Sequence, residues 1–383
     1  KFESFQNPEI DKKAAAITLF RESELRCKAT NKRFQNLLLD PLYKGPNVWL
    51  LHATTRKIRS ILGSFSPEAF LSSANWGPGV STLTKGAHVS GYNKFHSESG
   101  ITPQLHSFIM PWFPEAYPSW WEHILVRDVS FTRCEGNEVV TVPKNSKIDR
   151  TIAIEPGFNL WFQKAAGTMI RRRLLRFGIN LNDQTINQRL AQRASRHNDL
   201  ATVDFSSASD TIAYHVVREL LPHRWFTILD LLRSKSGLIR GSEEPGFVWE
   251  KFSSMGNGFT FELQSLIFFA AATSVCDYLQ IDNAVVSAYG DDVIIPSAAY
   301  ELFRSFVDFL GFSVNPSKSF SDGPFRESCG GQYWDGVECR PVYFRRHLTT
   351  VPSVFRLANA IRGYAHRCNT YGCDQRFASL HHR

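Results

Sequence analysis

The pattern of apolar and polar residues is clearest at residues 285–296, where two short β-branched runs flank a Gly-Asp pair. This pattern predicts a β-hairpin, because such a tight turn needs a glycine with positive φ. The adjacent carboxylates of Asp291 and Asp292 are then expected at the tip of the hairpin. A Gly-Asp-Asp turn by itself is common in solvated loops, so its meaning depends on the rest of the chain.

A second strand is predicted at residues 200–205, where alternation sets Asp204 on the same face as Thr202. The serine-rich segment that follows ends in Asp210 and is typical of a helix N-terminus, and apolar residues then recur at helical spacing until Pro222. Asp204 is therefore expected at the end of a strand that leads into a helix. The plainer alternatives are a polar residue on a half-exposed strand for Asp204 and an acid favoured by the helix dipole for Asp210.

Helical spacing of apolar residues recurs elsewhere in the chain. Residues 259–278 are mostly apolar and predict a buried helix, and residues 300–310 form an amphipathic pattern that ends at Gly311. Residues 14–39 are helical in places, and residues 225–232 predict a further helix.

Strands and loops separate these helices. A strand-like run is present at residues 139–143, and a short strand with a turn that carries Lys318 is predicted at residues 312–320. Residues 325–330 and 342–344 are expected to form another small sheet element.

A polar loop at residues 253–258 precedes the long apolar segment, and its glycines Gly256 and Gly258 flank Asn257. Because glycine lacks a Cβ, such a loop lets a backbone or a ligand approach closely.

Length, composition and charge narrow the function. At 383 residues the chain is long enough for two or three subdomains, and its 43% apolar content is that of a globular protein. The formal net charge of +8 favours a polyanionic partner, with nucleic acid ahead of an anionic membrane surface. The longest strongly apolar run, residues 266–275, is too short to span a bilayer, and no signal peptide is expected from the first residues given. The chain begins at Lys1, so we expect a fragment or a trimmed product.

The seven cysteines are scattered, odd in number and without a Cys-x-x-Cys pair. This pattern argues against a zinc site or a disulfide framework. The chain is therefore expected to work in a reducing compartment.

Basic residues concentrate downstream of residue 139. Lys144, Lys147 and Arg150 directly follow a predicted strand and a proline, on what reads as a structured loop. Lysines and arginines in this setting are suited to clamp phosphates. The arginines at residues 171–176 fit a solvated helix face equally well.

The aspartates favour a metal-dependent reaction. Adjacent anions repel each other and lose hydration unless a cation compensates them, and aspartate oxygens are ligands that Mg²⁺ prefers. Nucleotidyl transfer by a two-metal mechanism uses carboxylates to hold two divalent ions about 4 Å apart. Asp204 together with Asp291 and Asp292 would build such a site, and lysines and arginines would neutralise a triphosphate.

The order of these motifs resembles motifs A to D of polymerase palms. The motifs are Asp204-x5-Asp210, the Ser-Met-Gly-Asn-Gly-Phe-Thr string from Ser254, the Tyr-Gly-Asp-Asp string that ends at Asp292, and the element with Lys318. Longer strings closely resemble the replicase β subunits of the positive-strand RNA bacteriophages, the levivirus group that includes Qβ and MS2. These strings lie at residues 142–145, 154–157, 181–188, 254–258 and 323–330, within a match that covers roughly residues 140–350.

The resemblance implies an α+β right-hand polymerase of fingers, palm and thumb, with an antiparallel palm sheet flanked by helices. The implied divisions are an N-terminal region with fingers at 1–199 (phosphate-clamping motif near 142–157), palm at 200–225, a fingers or palm insertion at 226–250, palm at 251–335, and the start of a thumb at 336–383. Family members run well beyond this length, so much of the thumb side and part of the N-terminus are expected to be missing.

The resemblance also implies catalytic roles. Asp204, Asp291 and Asp292 match the metal-binding aspartates, with Asp292 the more peripheral ligand. Lys318 matches a general acid for pyrophosphate, and a salt-bridged surface lysine describes it equally well.

The residues that the resemblance implies for rNTP binding are Lys144, Lys147, Arg150, Asp210, Ser254, Gly256 and Asn257. The first three match the fingers motif over the triphosphate. Asp210 and Asn257 match positions that recognise the ribose 2′-hydroxyl.

The implied activity is RNA-templated RNA synthesis with two Mg²⁺ ions, or Mn²⁺ in their place, to replicate a phage genome in the cytoplasm of the bacterial host. The implied partners are rNTPs, a single-stranded RNA template, the nascent RNA and, more loosely, host elongation factors Tu and Ts and ribosomal protein S1, with no membrane.

A reverse transcriptase and a catalytically inactive RNA-binding palm are the alternatives. Asp210 with Asn257 argues against the first, because enzymes that use dNTPs generally have a bulky aromatic residue near motif A. The presence of all three metal-binding aspartates argues against the second.

Overall fold

A computed structural model gives the structure of residues 10–129, 131–342 and 348–367. Its α-helices are α1 (Lys12–Gln35), α2 (Pro46–Leu62), α3 (Pro67–Ser73), α4 (Gly91–His96), α5 (Pro103–Ile109), α6 (Phe113–Ala116), α7 (Pro118–Arg127), α8 (Gly157–Arg176), α9 (Thr185–His197), α10 (Tyr214–Leu220), α11 (His223–Leu232), α12 (Thr260–Tyr278), α13 (Tyr300–Phe309) and α14 (Val351–Arg367). Its strands are β1 (Ser99–Ile101), β2 (Phe131–Arg133), β3 (Asn137–Pro143), β4 (Asp149–Ile154), β5 (Leu200–Val203), β6 (Ser236–Ile239), β7 (Phe247–Val248), β8 (Ser287–Tyr289), β9 (Asp292–Pro296), β10 (Phe325–Ser328), β11 (Gly331–Trp334) and β12 (Val337–Glu338). Single 3₁₀ turns lie at Leu37–Leu39, Gly86–His88, Ala208–Asp210 and Ser297–Ala299.

The sheet that carries the aspartates has the strand order β5-β9-β8, and both pairings are antiparallel. The register of β5 with β9, continued by one residue, sets Asp204 beside Asp292. The turn between β8 and β9 contains Gly290, which has a φ of +65° and no room for a Cβ, since that atom would lie 2.7 Å from a neighbouring ring. The predicted hairpin is therefore confirmed, and its tip lies at the same edge of the sheet as the end of β5.

Helix α12 packs behind this sheet and is buried, as its apolar sequence predicts. Leu263 and Leu266 are fully buried, and Phe268 stacks on Phe205 with ring centroids 4.0 Å apart and planes 6° from parallel. Because Phe205 directly follows Asp204, this stacking holds the backbone at the end of β5.

A second sheet has the order β4-β3-β6-β7. Its strands β3 and β4 form an antiparallel hairpin in which Pro143 pairs with Asp149. Lys144 and Lys147 lie in the hairpin loop, whereas Arg150 lies on β4 itself. The expectation that all three basic residues share one loop is wrong for Arg150, because the second strand already begins at Asp149.

The N-terminal helices belong to the same hydrophobic core. Helix α1 is continuous where the sequence predicted helix only in places, and Asp11 caps it by accepting hydrogen bonds from the backbone N–H groups of Lys13 and Ala14. Its buried face includes Phe20 and Cys27 and packs on α10 and β4, while α2 packs on α12. The first third of the chain therefore supports the sheets.

The two plainer alternatives for Asp204 and Asp210 and one predicted strand are wrong. Thr202 is 1% exposed, so β5 is buried on both faces and is not a half-exposed strand. Helix α10 begins only at Tyr214, so Asp210 lies in a 3₁₀ turn outside the first turn of that helix. No strand forms in the described segment 312–320, because Pro316 lies in a turn, and two isolated bridges pair this segment with Thr202 and Phe205 instead.

The small sheet element predicted at residues 325–330 is confirmed as β10, which pairs with β11. Residues 343 and 344, the other part of that prediction, lie outside the described residues. Of residues 336–383, those at 336–342 and 348–367 are described, and the second range contains all of α14 and the three residues before it. Within the described ranges, no helix is both long and apolar enough to cross a membrane.

Candidate active site

The edge of the first sheet and the β3–β4 hairpin face each other across a pocket of about 420 Å³. Its acidic lining residues are Asp149, Asp204, Asp210 and Asp291, and its basic ones are Lys144, Arg150 and Lys318. Helix α1 closes one side with Ala16, Leu19 and Phe20. Charges of both signs therefore meet in one space that is built from distant parts of the sequence.

Asp204 is held by the turn that carries Lys318. Its backbone N–H donates to Ser319 Oγ at 3.0 Å, and its carboxylate accepts from Asn315 Nδ2 at 3.1 Å. Burial raises the pKa of Asp204, Lys318 lowers it, and Asp291 raises it again. The carboxylate is thus fixed in place and lies close to another negative group.

Asp292 is anchored by the end of β10 and by the turn that follows this strand. Its Oδ1 accepts from the backbone N–H of Cys329 at 2.8 Å and from Ser328 Oγ at 3.1 Å. Burial, with Asp291 and Asp204 adding to it, raises the pKa of Asp292 to about 6. Asp292 is absent from the lining of the described pocket, whereas Asp291 belongs to it.

The donor chemistry of this edge fits a divalent cation. Like-charged carboxylates raise each other's pKa, and a cation between them reverses that effect. All the donors are aspartate oxygens, which suit Mg²⁺ or Mn²⁺. Among the described residues, no group of three or more His, Cys, Asp or Glu side chains has the arrangement of a metal site, so the fit rests on Asp204 and Asp291, which share the pocket.

The basic side of the pocket consists of Lys144 and Arg150. In the described part of the chain, neither side chain forms a hydrogen bond or an ion pair. Burial lowers the pKa of Lys144, the charges of Arg150 and Lys318 lower it further, and Asp210 and Asp204 oppose them. Lys147, which was predicted to join these residues, does not line the pocket.

Lys318 lies in the pocket with its Nζ 3.7 Å from Asp204 Oδ2, and its side chain is 55% exposed. The ion pair matches the plainer prediction for this residue. Its position beside Asp204 is also compatible with a proton donor.

The glycine-bearing loop at residues 253–258 lies behind β4. Gly256 has a φ of +109°, and a Cβ there would lie 2.1 Å from the carbonyl oxygen of Ala153. Ser254 is buried, and its carbonyl accepts from the backbone N–H of Asn257. The Oδ1 of Asn257 accepts from the backbone N–H of Phe259, and its buried Nδ2 has no hydrogen-bond partner in the described structure.

Of this loop, only Met255 reaches the lining of the described pocket. Asp210 does line it, so the structure does not bring Asn257 together with Asp210 on the pocket wall. The close packing on β4 explains why the loop needs glycine, and it agrees with the predicted close approach of a backbone.

Sequence reasoning missed several residues of this site. Lys251 is buried and pairs with Asp210 at 2.6 Å, and Phe20 of α1 lies beside it. A lone lysine between Glu250 and Phe252 gives no local signal of burial. Asn315 was also missed, although an Asn-Pro-Ser turn next to Lys318 is a signal for a side chain that caps local backbone.

Comparisons with known proteins agree with the motifs. The profile of the family described as RNA replicase, beta-chain matches residues 1–369. The RNA-directed RNA polymerase subunit beta of Escherichia virus Qbeta is 40% identical over 362 residues, which are 93% of this chain and 59% of that protein. The corresponding chain of Enterobacteria phage fr is 36% identical over 369 residues, which are 94% of this chain and 65% of that protein.

A solved structure, the BmCPV RNA-dependent RNA polymerase at elongation state, superposes with a TM-score of 0.50 at 10% identity, over 85% of this chain and 32% of that one. This likeness concerns the fold alone and confirms the predicted α+β polymerase fold. The chain spans 59% to 61% of the length of its relatives from Qbeta, phage SP and Qbeta strain MX1. The family match over residues 1–369 nevertheless covers nearly all of this chain, which belongs to the RNA replicase β-chain family.

Proposed function

We propose that this pocket is the nucleotidyl-transfer site of an RNA-templated RNA polymerase. The observation that carries the proposal is that Asp204 and Asp291, which are distant in sequence, line one pocket with Lys144 and Arg150. The names of the relatives, RNA-directed RNA polymerases, support the same activity.

In this proposal, Asp204 and Asp291 hold two Mg²⁺ ions, with Asp292 as the more peripheral ligand and Mn²⁺ as an alternative ion. When bound, the ions supply activation of the attacking hydroxyl and charge stabilisation of the leaving pyrophosphate. The hydrogen bonds from Asn315 and Cys329 keep Asp204 and Asp292 oriented before any ligand arrives.

The remaining residues bind the nucleotide. Lys144 and Arg150 neutralise the triphosphate, because both are cations without a protein partner among the described residues. Asp210 accepts the hydrogen bond of the ribose 2′-hydroxyl, and Lys318 donates a proton to pyrophosphate. Asn257, Ser254 and Gly256 support this wall from behind β4, and Lys147 acts from the loop outside the pocket.

The fold assignments follow the same proposal. Residues 1–199 with the insertion at 226–250 form the fingers side, residues 200–225 and 251–335 form the palm, and the thumb begins at 336–383. The partners are rNTPs, a single-stranded template and the nascent RNA, which the net charge of +8 favours. Host elongation factors Tu and Ts and ribosomal protein S1 are further proposed partners, in the cytoplasm of the bacterial host.

The test is primer-independent incorporation of labelled rNTPs on a C-ending RNA template with Mg²⁺, in the parent and in Asp291→Asn, with and without bacterial lysate. We expect incorporation to fall by roughly a thousand-fold or more in the variant, since several kcal/mol of charge stabilisation are lost. Asp282→Asn, the same change on an exposed turn nearby, is the matched control and should remain active.

RNA binding is measured in parallel. If Asp291→Asn lost RNA binding to the same extent as it lost rNTP incorporation, the substitution would act on folding and not on metal chemistry. A parent that binds RNA but never synthesises it, even with lysate, would favour a catalytically inactive palm, and incorporation of dNTPs in preference to rNTPs would favour a reverse transcriptase.

A further inference from the structure

A lysine is buried directly behind the pocket. Lys251 is 2% exposed, and its Nζ lies 2.6 Å from Asp210 Oδ1 and 3.9 Å from Glu24 Oε1. The ammonium group also lies 4.8 Å from the centroid of the Phe20 ring and 4.7 Å from that of Trp249. Lysine is almost never buried to this degree unless it is paired, so this position is specified by its partners.

We propose that Lys251 is a positioning residue that fixes the carboxylate of Asp210 toward the pocket and thereby sets the selection of ribonucleotides over 2′-deoxyribonucleotides. This inference rests on the proposed function, in which Asp210 accepts the ribose 2′-hydroxyl.

The local backbone gives Asp210 little support of its own. Asp210 ends a single 3₁₀ turn that begins after Ser207, a non-glycine residue with a φ of +53°. The Asp210 side chain is 19% exposed and lines the pocket, and Lys251 donates to one of its two oxygens. With Oδ1 occupied, Oδ2 is the oxygen that remains to accept a hydroxyl hydrogen.

Lys251 is itself held rigidly. Its backbone bridges to Ala213, beyond the turn of Asp210, and the Trp249 ring beside it is fixed by a hydrogen bond from Nε1 to Asn137 Oδ1 at 3.1 Å. Phe20 covers the ammonium group from α1. The lysine therefore has few alternative rotamers, and a rigid donor positions its acceptor more narrowly than a mobile one.

The charges around Lys251 favour pairing of its ammonium group with Asp210 over pairing with Glu24. Glu24 is the second carboxylate near the ammonium group, but burial raises its pKa, which opposes ionisation. Its Oε2 accepts from the backbone N–H of Glu250 at 2.8 Å, and its Oε1 lacks a hydrogen-bond partner in the described structure. Lys251 therefore forms its hydrogen bond with Asp210 and not with Glu24.

Nucleotide selection tests this role. Lys251→Met keeps the length and the apolar stem of the side chain and removes the donor, and kcat/KM is measured for GTP and for 2′-deoxy-GTP on one template. We expect the ratio of kcat/KM for GTP to kcat/KM for 2′-deoxy-GTP to fall by roughly ten- to a hundred-fold, the effect of losing a hydrogen bond to a charged group. The fall should come from a lower kcat/KM for GTP, while kcat/KM for 2′-deoxy-GTP stays the same. A merely structural role would lower both values equally and would overturn the inference.

Two further variants control the measurement. Lys235→Met removes a lysine that pairs with Asp230 at 3.1 Å on the surface, and it should leave the ratio unchanged. Asp210→Asn should lower the ratio, and adding Lys251→Met to it should lower the ratio no further if the lysine acts through Asp210. An additive loss in the double variant would overturn the inference.

Equilibrium binding of GTP and 2′-deoxy-GTP without template separates the two proposals. If Lys251→Met does not fold in a thermal unfolding assay, Lys251→Gln, which retains a neutral donor, is measured in its place and should lose part of the preference. A parent that neither binds nor incorporates GTP would overturn the proposed function and this inference with it. A parent that prefers GTP, with Lys251 variants that prefer it equally, would overturn only the role of Lys251.

Discussion

The two walls of the pocket are built in opposite ways. The acidic wall consists of Asp204 and Asp291, with Asp292 beside Asp204 but outside the pocket lining. Hydrogen bonds from Asn315 to Asp204 and from Cys329 to Asp292 anchor it. The basic wall consists of Lys144 and Arg150, whose side chains have no hydrogen bond or ion pair among the described residues.

This difference indicates what each wall is prepared to bind. Burial and the neighbouring aspartates raise the pKa of Asp204 and of Asp292, which favours a cation beside them, and hydrogen bonds set the geometry of these two carboxylates before a cation arrives. Cations on a hairpin favour an anion, and neither Lys144 nor Arg150 forms an ion pair with a carboxylate among the described residues. Under the proposed function, the protein therefore orders the metal-binding side by its own contacts and leaves the phosphate-binding side to be ordered by its ligand.

The largest effect is expected from breaking the support of the acidic wall at Arg326. This side chain is fully buried and donates to the carbonyl of Leu200 at 2.8 Å, to Asn198 Oδ1 at 2.6 Å and to the carbonyl of Gly323 at 2.8 Å. Arg326→Met removes these three hydrogen bonds and leaves the buried carbonyl of Leu200 without the guanidinium donor, so we expect the free energy of unfolding to fall by about 3 kcal/mol. Urea unfolding monitored by circular dichroism measures it.

Arg304→Met is the matched control for Arg326→Met. Arg304 pairs with Glu301 at 2.6 Å on the surface, and its side chain is 58% exposed. Its loss should change the unfolding free energy by less than about 0.5 kcal/mol. Equal effects of the two variants would mean that the buried guanidinium does not support β5.

A smaller effect is expected at the basic wall. Lys144→Met removes from the pocket a cation that has no ion pair within the described ranges, so KM for rNTPs should rise by roughly ten- to thirty-fold, with a smaller change in kcat and in the free energy of unfolding. Steady-state incorporation kinetics with varied rNTP measure both constants.

Lys147→Met is the matched control for Lys144→Met, because Lys147 lies in the same hairpin loop but outside the pocket lining. We expect its KM to change by less than about three-fold, the size of a screened charge effect. A rise equal to that of Lys144→Met would mean that the whole loop folds over the nucleotide.

Much of this site follows from local sequence signals. The hairpin at Asp291 and the buried helix α12 were predicted because glycine in a tight turn and a long apolar run act within a few residues. The position of Asp204 beside this hairpin depends on the register between β5 and β9. The order of the motifs implies that pairing, whereas hydrophobic periodicity alone does not predict it.

The missed features depend on residues that are far apart in the chain. Lys251 reads as a surface lysine until Phe20 and Glu24, on α1, cover it. Arg150 was predicted on a loop because the apolar residues after it do not show where β4 begins. Residues 312–320 were predicted as a short strand with a turn that carries Lys318. The turn is present, but the strand is not, and Asn315 beside the turn holds Asp204 instead.

The smallest predicted effect concerns the pH dependence of the acidic wall. The pKa of Asp292 is raised to about 6 from 3.8, so the folded protein binds more protons than the unfolded chain between these values. Stability from this group is therefore lost as pH rises through that range. Asp292→Asn removes this loss of stability, because its amide does not ionise, and its amide oxygen can still accept from the backbone N–H of Cys329. At about pH 7 the variant should therefore be more stable than the parent by about 1 kcal/mol.

Urea unfolding with EDTA, from about pH 4 to pH 7, tests this prediction, and the advantage of the variant should disappear at the acidic end. Asp322→Asn gives a control of opposite sign. Hydrogen bonds from Asn198 and the backbone of Gly323 lower the pKa of Asp322, so its contribution is present at neutral pH and lost as pH falls. If Asp292→Asn were instead less stable than the parent at neutral pH, the carboxylate would be favoured in its ionised form, and the acidic wall would be balanced by the protein's own cations without a bound metal.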